Sequence, residues 1–294
     1  MRTAPLLCLL FTALSGMAQE APKPPVPAPA AAPAEAPGGI SVIPNRVVLE
    51  GRTRAAEVLL KNSGTVRASF RVSMVEKDMT EDGRLVDRVR KEGEITAADL
   101  VRFSPRQVDL EPNESQIVRL QVRKPEHLPD GEYRSHLLLQ GIPPARQAEP
   151  IQGDEADRTL SFGITQVLGI SIPIIVRQGT LEAEVSLAHG EPVFYQPTYK
   201  DSAPVISLWL ERKGNRSVMG DMKVTLEAGG GKPKGTVLWE LKSVGIYTNL
   251  GRRKVFLGVP AAVGGKLQGA RAKVVFTPTD MKLDPVSTEV DLNL

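Results

Sequence analysis

Residues 159–179 read TLSFGITQVLGISIPIIVRQG, and their alternating pattern decides how the chain is expected to fold. Every second position from Ile164 to Val176 is aliphatic, apart from Gln166. A period of two places those side chains on one face of an extended backbone, so the stretch predicts a β-strand. This strand would be far longer than the five or six residues that are typical of strands.

Pro173 bears on where this strand would lie in a sheet. Proline has no backbone N–H to donate, which is tolerated at the edge of a sheet much better than at its centre. A long apolar strand at an edge promotes aggregation unless a partner covers it. Two interpretations therefore stand: an overlong core strand that connects two domains, or an edge strand with a binding partner.

The remainder of the chain also favours strands over helices. From Ile40 onward, short apolar and β-branched runs alternate with turn signals, seven of them before Gly179 and about seven after it. An immunoglobulin-like β-sandwich has about seven strands. We therefore expect an all-β protein with two such sandwiches, at 40–178 and 179–294, held at a fixed angle because almost no linker separates them. The polar stretch 84–100 is expected to form a short helix or a loop.

The N-terminus has the features of a cleavable signal peptide. Arg2 supplies a positive start, residues 5–14 supply a short apolar core, and small residues precede the expected cleavage after Ala18. Residues 19–39 are dominated by Pro and Ala, which predicts a disordered leader, with a tether to a partner as the alternative. Cys8 is the only cysteine, so the exported protein is expected to lack disulfides. No segment is long enough to span a bilayer, and we expect no stable membrane insertion.

Composition argues against several classes of function. The net charge is only +3 and aromatic residues make up 4%, so a nucleic-acid partner is not expected. The three histidines have no metal-ligand spacing, and neither a nucleophile elbow nor a complete phosphate loop is present. We expect no enzyme activity, no metal and no cofactor. His136 is expected to be a hydrogen-bonded residue in the wall of a strand.

Four segments share features with one family. They are Asn45–Gly51 (NRVVLEG), Glu111–Val122 (EPNESQIVRLQV), Gly131–Pro144 (GEYRSHLLLQGIPP) and the long strand at 159–179. Together they resemble the PapD-like periplasmic chaperones that assemble pili and fimbriae, and they cover the first domain. The second domain is similar mainly in its strand pattern and in the segment Arg212–Gly220.

This resemblance implies a function for the long strand. In that family the corresponding strand is lent to an incomplete pilus subunit, whose groove takes up alternate apolar side chains while backbone hydrogen bonds supply affinity. The implied donor residues are Ile164, Gln166, Leu168, Ile170 and Ile172, with Gln166 interrupting the apolar row. The implied function is a periplasmic chaperone that passes pilus or fimbrial subunits to an outer-membrane usher. The alternative is a structural or adhesive module that uses the same edge for a permanent partner.

The resemblance also implies how a subunit would be anchored. Arg46 matches the family arginine that binds the C-terminal carboxylate of the subunit, a charge-assisted contact. The alternative for Arg46 is a solvated surface residue. The family adds a lysine from the long strand, and this chain has Pro173 at that position. The carboxylate contact is therefore halved, or another basic residue completes it.

Glu132 and Arg177 match the acidic and basic members of an ion pair at the domain junction of the family. We expect this pair to be partly buried and to fix the angle between the domains. A third, acidic member is expected from the second domain, and Asp221 and Asp280 are the two candidates.

Overall fold

The computed structural model describes residues 39–143, 167–195, 205–258, 267 and 269–292, and for 189–195, 205, 206 and 258 it describes the backbone alone. The predicted signal peptide and nearly all of the predicted leader lie outside the described residues. So do the donor positions Ile164 and Gln166.

The first part of the described chain folds into a β-sandwich. One sheet has the strand order β1-β3-β9-β7 and the other has the order β2-β11-β10-β4-β8, while β5 and β6 form a separate hairpin. Alternate side chains of both sheets share one core, in which Leu60, Leu120 and Leu137 are fully enclosed. The strands are β1 (Ile40–Ile43), β2 (Val47–Leu49), β3 (Ala55–Asn62), β4 (Ala68–Val75), β5 (Lys77–Met79), β6 (Leu85–Asp87), β7 (Val101–Ser104), β8 (Gln107–Leu110), β9 (Ser115–Val122), β10 (Gly131–Ile142) and β11 (Gly169–Gln178).

A second sandwich follows, with its own core. Its sheets have the orders β12-β13-β16 and β15-β14-β17-β18, and Phe276 is the largest fully buried side chain of that core. The strands are β12 (Ala183–Tyr195), β13 (Val205–Gly214), β14 (Val218–Ala228), β15 (Val237–Ile246), β16 (Arg252–Gly258), β17 (Ala270–Pro278) and β18 (Val286–Leu292).

The all-β architecture of two sandwiches confirms the predicted fold class. The polar stretch contains the short helix α1 (Ala97–Leu100), whose first turn is closed by the Thr96 N–H donating to Asp99 Oδ2 at 2.9 Å. The β5–β6 hairpin was not predicted, since its strands of three residues are too short to show an alternating pattern, and β7 was missed although Val101 and Phe103 alternate with polar residues. No helix in the described part of the chain is long and apolar enough to cross a membrane.

A small third apolar cluster joins the two sandwiches. Met79 of the β5–β6 hairpin and Ile175 of β11 pack against Met219 and Tyr247 of the second sandwich. The hairpin is held there by polar contacts as well, because Asn249 Nδ2 donates to the Met79 carbonyl at 2.8 Å. The hairpin thus forms part of the junction between the sandwiches.

Candidate functional site

Strand β11 has one open edge. All ten residues of β11 pair with β10, from Gly169 opposite Gln140 to Gln178 opposite Gly131. On its other side β11 pairs with β2 alone, in parallel and only over Ile174–Val176. Among the strands that the structure describes, none pairs with this side of β11 before Ile174. The open edge therefore runs along the N-terminal half of β11.

One hydrogen bond assigns the backbone groups of this edge. The Gly141 N–H donates to the Leu168 carbonyl at 2.8 Å, so Leu168 directs its main-chain groups toward β10. Successive residues of a strand direct these groups to opposite sides. Gly169, Ser171 and Pro173 therefore present theirs to the open side. The missing N–H of Pro173 falls on that side, where the described chain has no strand to receive it.

The aliphatic row of β11 leaves the protein's own core toward its N-terminal end. Ile174 and Val176 are fully buried in the first core, and Ile172 is also part of it, with 3% of its surface exposed. Ile170 is only partly buried against this core, and Leu168 is 42% exposed. The donor role that the resemblance implied for Ile172 conflicts with this location, because its side chain already fills the protein's own core. Leu168 and Ile170 remain accessible at the open edge.

Arg46 lies where the open edge ends. Its neighbour Val47 is paired with Ile174, so the parallel register places Arg46 beside Pro173. Both residues line a cavity of about 220 Å³, and Arg46 is partly buried there. The second sandwich contributes Tyr247 and Arg253 to the same cavity, and none of the lining residues is acidic. Arg46 is thus part of an interdomain pocket, which differs from the solvated surface position considered as an alternative.

Tyr247 lies at the centre of several positive charges. Its pKa is raised because the phenol is buried, and the nearby Arg134, Arg46 and Arg253 partly oppose that rise. The Arg134 guanidinium stacks 4.1 Å from the centre of the Tyr247 ring, a cation–π contact. Arg134 also has Asp78 Oδ1 at 3.4 Å.

Arg177 is the centre of a buried ion network at the junction. Its Nε lies 3.0 Å from Glu132 Oε2, its Nη1 lies 2.9 Å from Glu50 Oε2, and its Nη2 lies 2.9 Å from Asp280 Oδ2. The side chains of Arg177 and Glu132 are 3% and 0% exposed. Burial by itself lowers the pKa of Arg177, but attraction to Glu132 and the hydrogen bonds to the three carboxylates outweigh it, so the pKa is raised. The arginine therefore stays charged, and it ties the two sandwiches together.

The structure distinguishes the two candidates for the third acidic member. Asp280 contacts Arg177, whereas Asp221 pairs with the exposed Lys242 at 3.0 Å. Glu50, which sequence reasoning missed, lies in the segment NRVVLEG that was recognised for Arg46. Nothing in that segment indicates that its glutamate reaches Arg177, because β2 and β11 become neighbours only in the folded sheet.

His136 differs from its predicted role. It is fully buried in the β10 wall, but neither ring nitrogen has a hydrogen-bond partner among the described atoms. The ring meets Tyr247 edge-on, with 6.2 Å between the centroids. Burial lowers its pKa from 6.5 to about 4, and the positive charges of Arg134 and Lys77 contribute. The imidazole is therefore neutral at pH 7.

Comparison with solved structures returned bacterial chaperones. One is CsuC, in the pre-assembly complex with the tip adhesion subunit CsuE from archaic chaperone-usher Csu pili of Acinetobacter baumannii: the identity is 13%, the TM-score is 0.41, and the match covers 86% of this chain and 98% of that one. The E. coli chaperone DraB matches at 13% identity and a TM-score of 0.41, over 86% and 97% of the chains. Salmonella enterica SafB, solved in complex with SafA pilin, matches at 12% and 0.40, over 85% and 96%.

The chain is similar to pilus-assembly chaperones. The identities of these three matches to the chain are only 12–13%. No protein-family model and no curated protein matches the chain. TM-scores of 0.40–0.41 are too low to transfer a function, so any function has to be supported by the residues of this chain.

Proposed function

We propose that this protein is a periplasmic chaperone that binds incomplete pilus or fimbrial subunits by lending them the open edge of β11, and then delivers them to an outer-membrane usher. The observation that carries this proposal is the position of the aliphatic row. Ile174 stabilises the protein's own core, whereas Leu168 lies on the same row and is 42% exposed at an unpaired edge.

The backbone of the open edge can hold a client strand. Gly169 and Ser171 each present an N–H and a C=O to the side that β2 leaves uncovered. Backbone hydrogen bonds along this edge supply affinity for a client strand of any sequence. The alternate side chains of β11 supply specificity, because they have to fit the groove of the client. Leu168 and Ile170 are those side chains, and Ile164 and Gln166 would extend the row.

The pocket sets the direction and the end of the client strand. A strand that pairs with Gly169–Ser171 meets the start of β2 at Arg46 and cannot continue, because β2 already occupies the edge from Ile174. A client that runs parallel to β11 would present its C-terminus there. The Arg46 guanidinium would then bind the terminal carboxylate by a charge-assisted contact.

Arg177 and Glu132 have a structural role in this proposal. Their network spans both sandwiches, since Asp280 belongs to the second one. It would keep the pocket walls in place without contacting the client. Neither a nucleotide nor a metal is required, because one strand can be exchanged for another at the same edge.

Co-purification tests the proposal. The chain would be co-expressed in a bacterial periplasm with a β-sandwich subunit encoded beside its gene, and the complex would be isolated through a tag on the chain. A peptide with the N-terminal extension of a second subunit should then displace the chain from the complex. A complex that no such peptide dissociates would favour the permanent structural or adhesive module. Failure to form any complex would contradict both functions.

A further inference from the structure

The pocket beside Arg46 contains a second arginine that the sequence did not single out. Arg253 comes from β16 of the second sandwich, whereas Arg46 precedes β2 of the first. Arg46 and Arg253 both line one cavity of about 220 Å³ that has no acidic lining residue. The positive charges of both arginines lower the pKa of the same Tyr247 hydroxyl, so both arginines lie near it.

The side chain of Arg253 is held between Gly83 and Gly245. A Cβ atom on Gly83, at the tip of the β5–β6 hairpin, would lie only 2.7 Å from Arg253 Cζ, so a side chain there would make this guanidinium move. Gly83 also has a φ of +82°, which glycine adopts without strain. Arg253 Nη1 donates to the Gly245 carbonyl, which orients the side chain along the pocket wall.

The hydrogen-bonding capacity of Arg253 is not used up by the protein. Its Nε is buried and has no partner among the described atoms. Burial lowers the pKa of Arg253, and attraction to Asp82 opposes this only in part. Asp82 itself accepts hydrogen bonds from Thr80 and Arg84. A partly buried cation with an unpartnered donor favours an anion that reaches it.

We propose that Arg46 and Arg253 bind one carboxylate between them, so that the second sandwich supplies the basic group that Pro173 cannot. The inference rests on the proposed function and names the ligand of its pocket as a peptide chain end. A lysine at Pro173 would reach the carboxylate from the same strand that pairs with the client. Arg253 belongs to β16 of the second sandwich, so binding would depend on the junction between the sandwiches.

The test uses two synthetic peptides of eight residues that alternate Thr with Val or Ile, labelled at the N-terminus. One ends in a free carboxylate and the other in an amide, and binding to the full chain is measured by fluorescence anisotropy. The wild-type protein should bind the carboxylate form at least about tenfold more tightly, since hydrogen bonds to charged groups contribute about 1.5–3 kcal/mol. Arg253→Gln and Arg46→Gln should each remove most of this preference.

Two further variants control for folding and for charge. Arg252→Gln removes the neighbouring exposed arginine, which pairs with Glu81 at 3.0 Å and stacks on Trp209, and it should leave the preference unchanged. Arg253→Lys keeps a cation and should restore a part of the preference. This result would show that Arg253→Gln acts through the lost charge and not through a disturbed fold.

The outcomes separate the inference from the function on which it rests. If both peptides bind equally to the wild-type protein, strand pairing stands and the carboxylate site is refuted. If the preference depends on Arg46 and is untouched by Arg253→Gln, the role of Arg253 is refuted. If neither peptide binds, the proposed open-edge function fails, and the inference fails with it.

Discussion

Leu168→Asp separates a donor strand from an ordinary core strand. In the free protein the Leu168 side chain is already 42% exposed, and its carbonyl keeps the hydrogen bond from Gly141 whatever the side chain is. Full burial of a leucine is worth about 1.5–3 kcal/mol, so the substitution should cost the free protein only about 1–2 kcal/mol. In a client groove the same change removes an apolar anchor and buries an unpaired carboxylate, which together cost at least about 4 kcal/mol.

Two assays measure these quantities. Thermal melting of the free variant should show a decrease in Tm of roughly 3–8 °C, the range expected for about 1–2 kcal/mol in a domain of this size. Affinity for the co-encoded subunit should fall by about a thousandfold, since each 1.4 kcal/mol is a factor of ten.

Two aspartate variants serve as references for Leu168→Asp. Ile174→Asp changes a fully buried position on the same row and should unfold the first sandwich. Ile117→Asp changes a 36% exposed position on β9 of the other sheet and should affect neither melting nor binding strongly. If Leu168→Asp melts like Ile174→Asp, or if it binds the subunit as the wild-type protein does, the donor reasoning is wrong.

The remaining predictions concern the buried charges. Arg177→Ala leaves the fully buried Glu132 without its cation and should lower the free energy of unfolding by about 3–5 kcal/mol in urea titrations, whereas Lys242→Ala, which breaks an exposed pair, should cost less than about 1 kcal/mol. Equal effects of the two would contradict the network assignment. The unfolded chain takes up the His136 proton near pH 6.5 and the folded chain only near pH 4. Stability is therefore lost as the pH falls between these values, by about 3 kcal/mol in total. His136→Leu should flatten that part of the pH profile, and an unchanged profile would refute the assignment.

Local pattern was sufficient for the fold class. Strand β18 (Val286–Leu292) is one of the runs after Gly179 whose pattern predicts a strand, since Val286, Thr288, Val290 and Leu292 alternate with more polar residues. Alternation arises from the backbone geometry of a single strand, so it can be read without knowledge of neighbours. The same pattern identifies the strand of Pro173, although β11 lies between β2 and β10 and lacks a neighbour on one side only before Ile174.

The tertiary structure decided where the aliphatic row changes its role. Ile172 and Leu168 share one face and one pattern, yet the first lies in the protein's own core and the second does not. Their difference depends on which strands of the facing sheet reach over them, and a period of two contains no information on that.

The charged contacts of the junction were also beyond the reach of local pattern. Local pattern predicted two sandwiches, the apolar row that runs along β11 and the candidate residues Arg46, Glu132 and Arg177. Only the tertiary structure selected Asp280 as a partner of Arg177 and brought Arg253 into the pocket of Arg46. From the sequence, a charged side chain on a strand is expected to be solvated. It loses its water only where two domains pack together, and that packing depends on the whole chain.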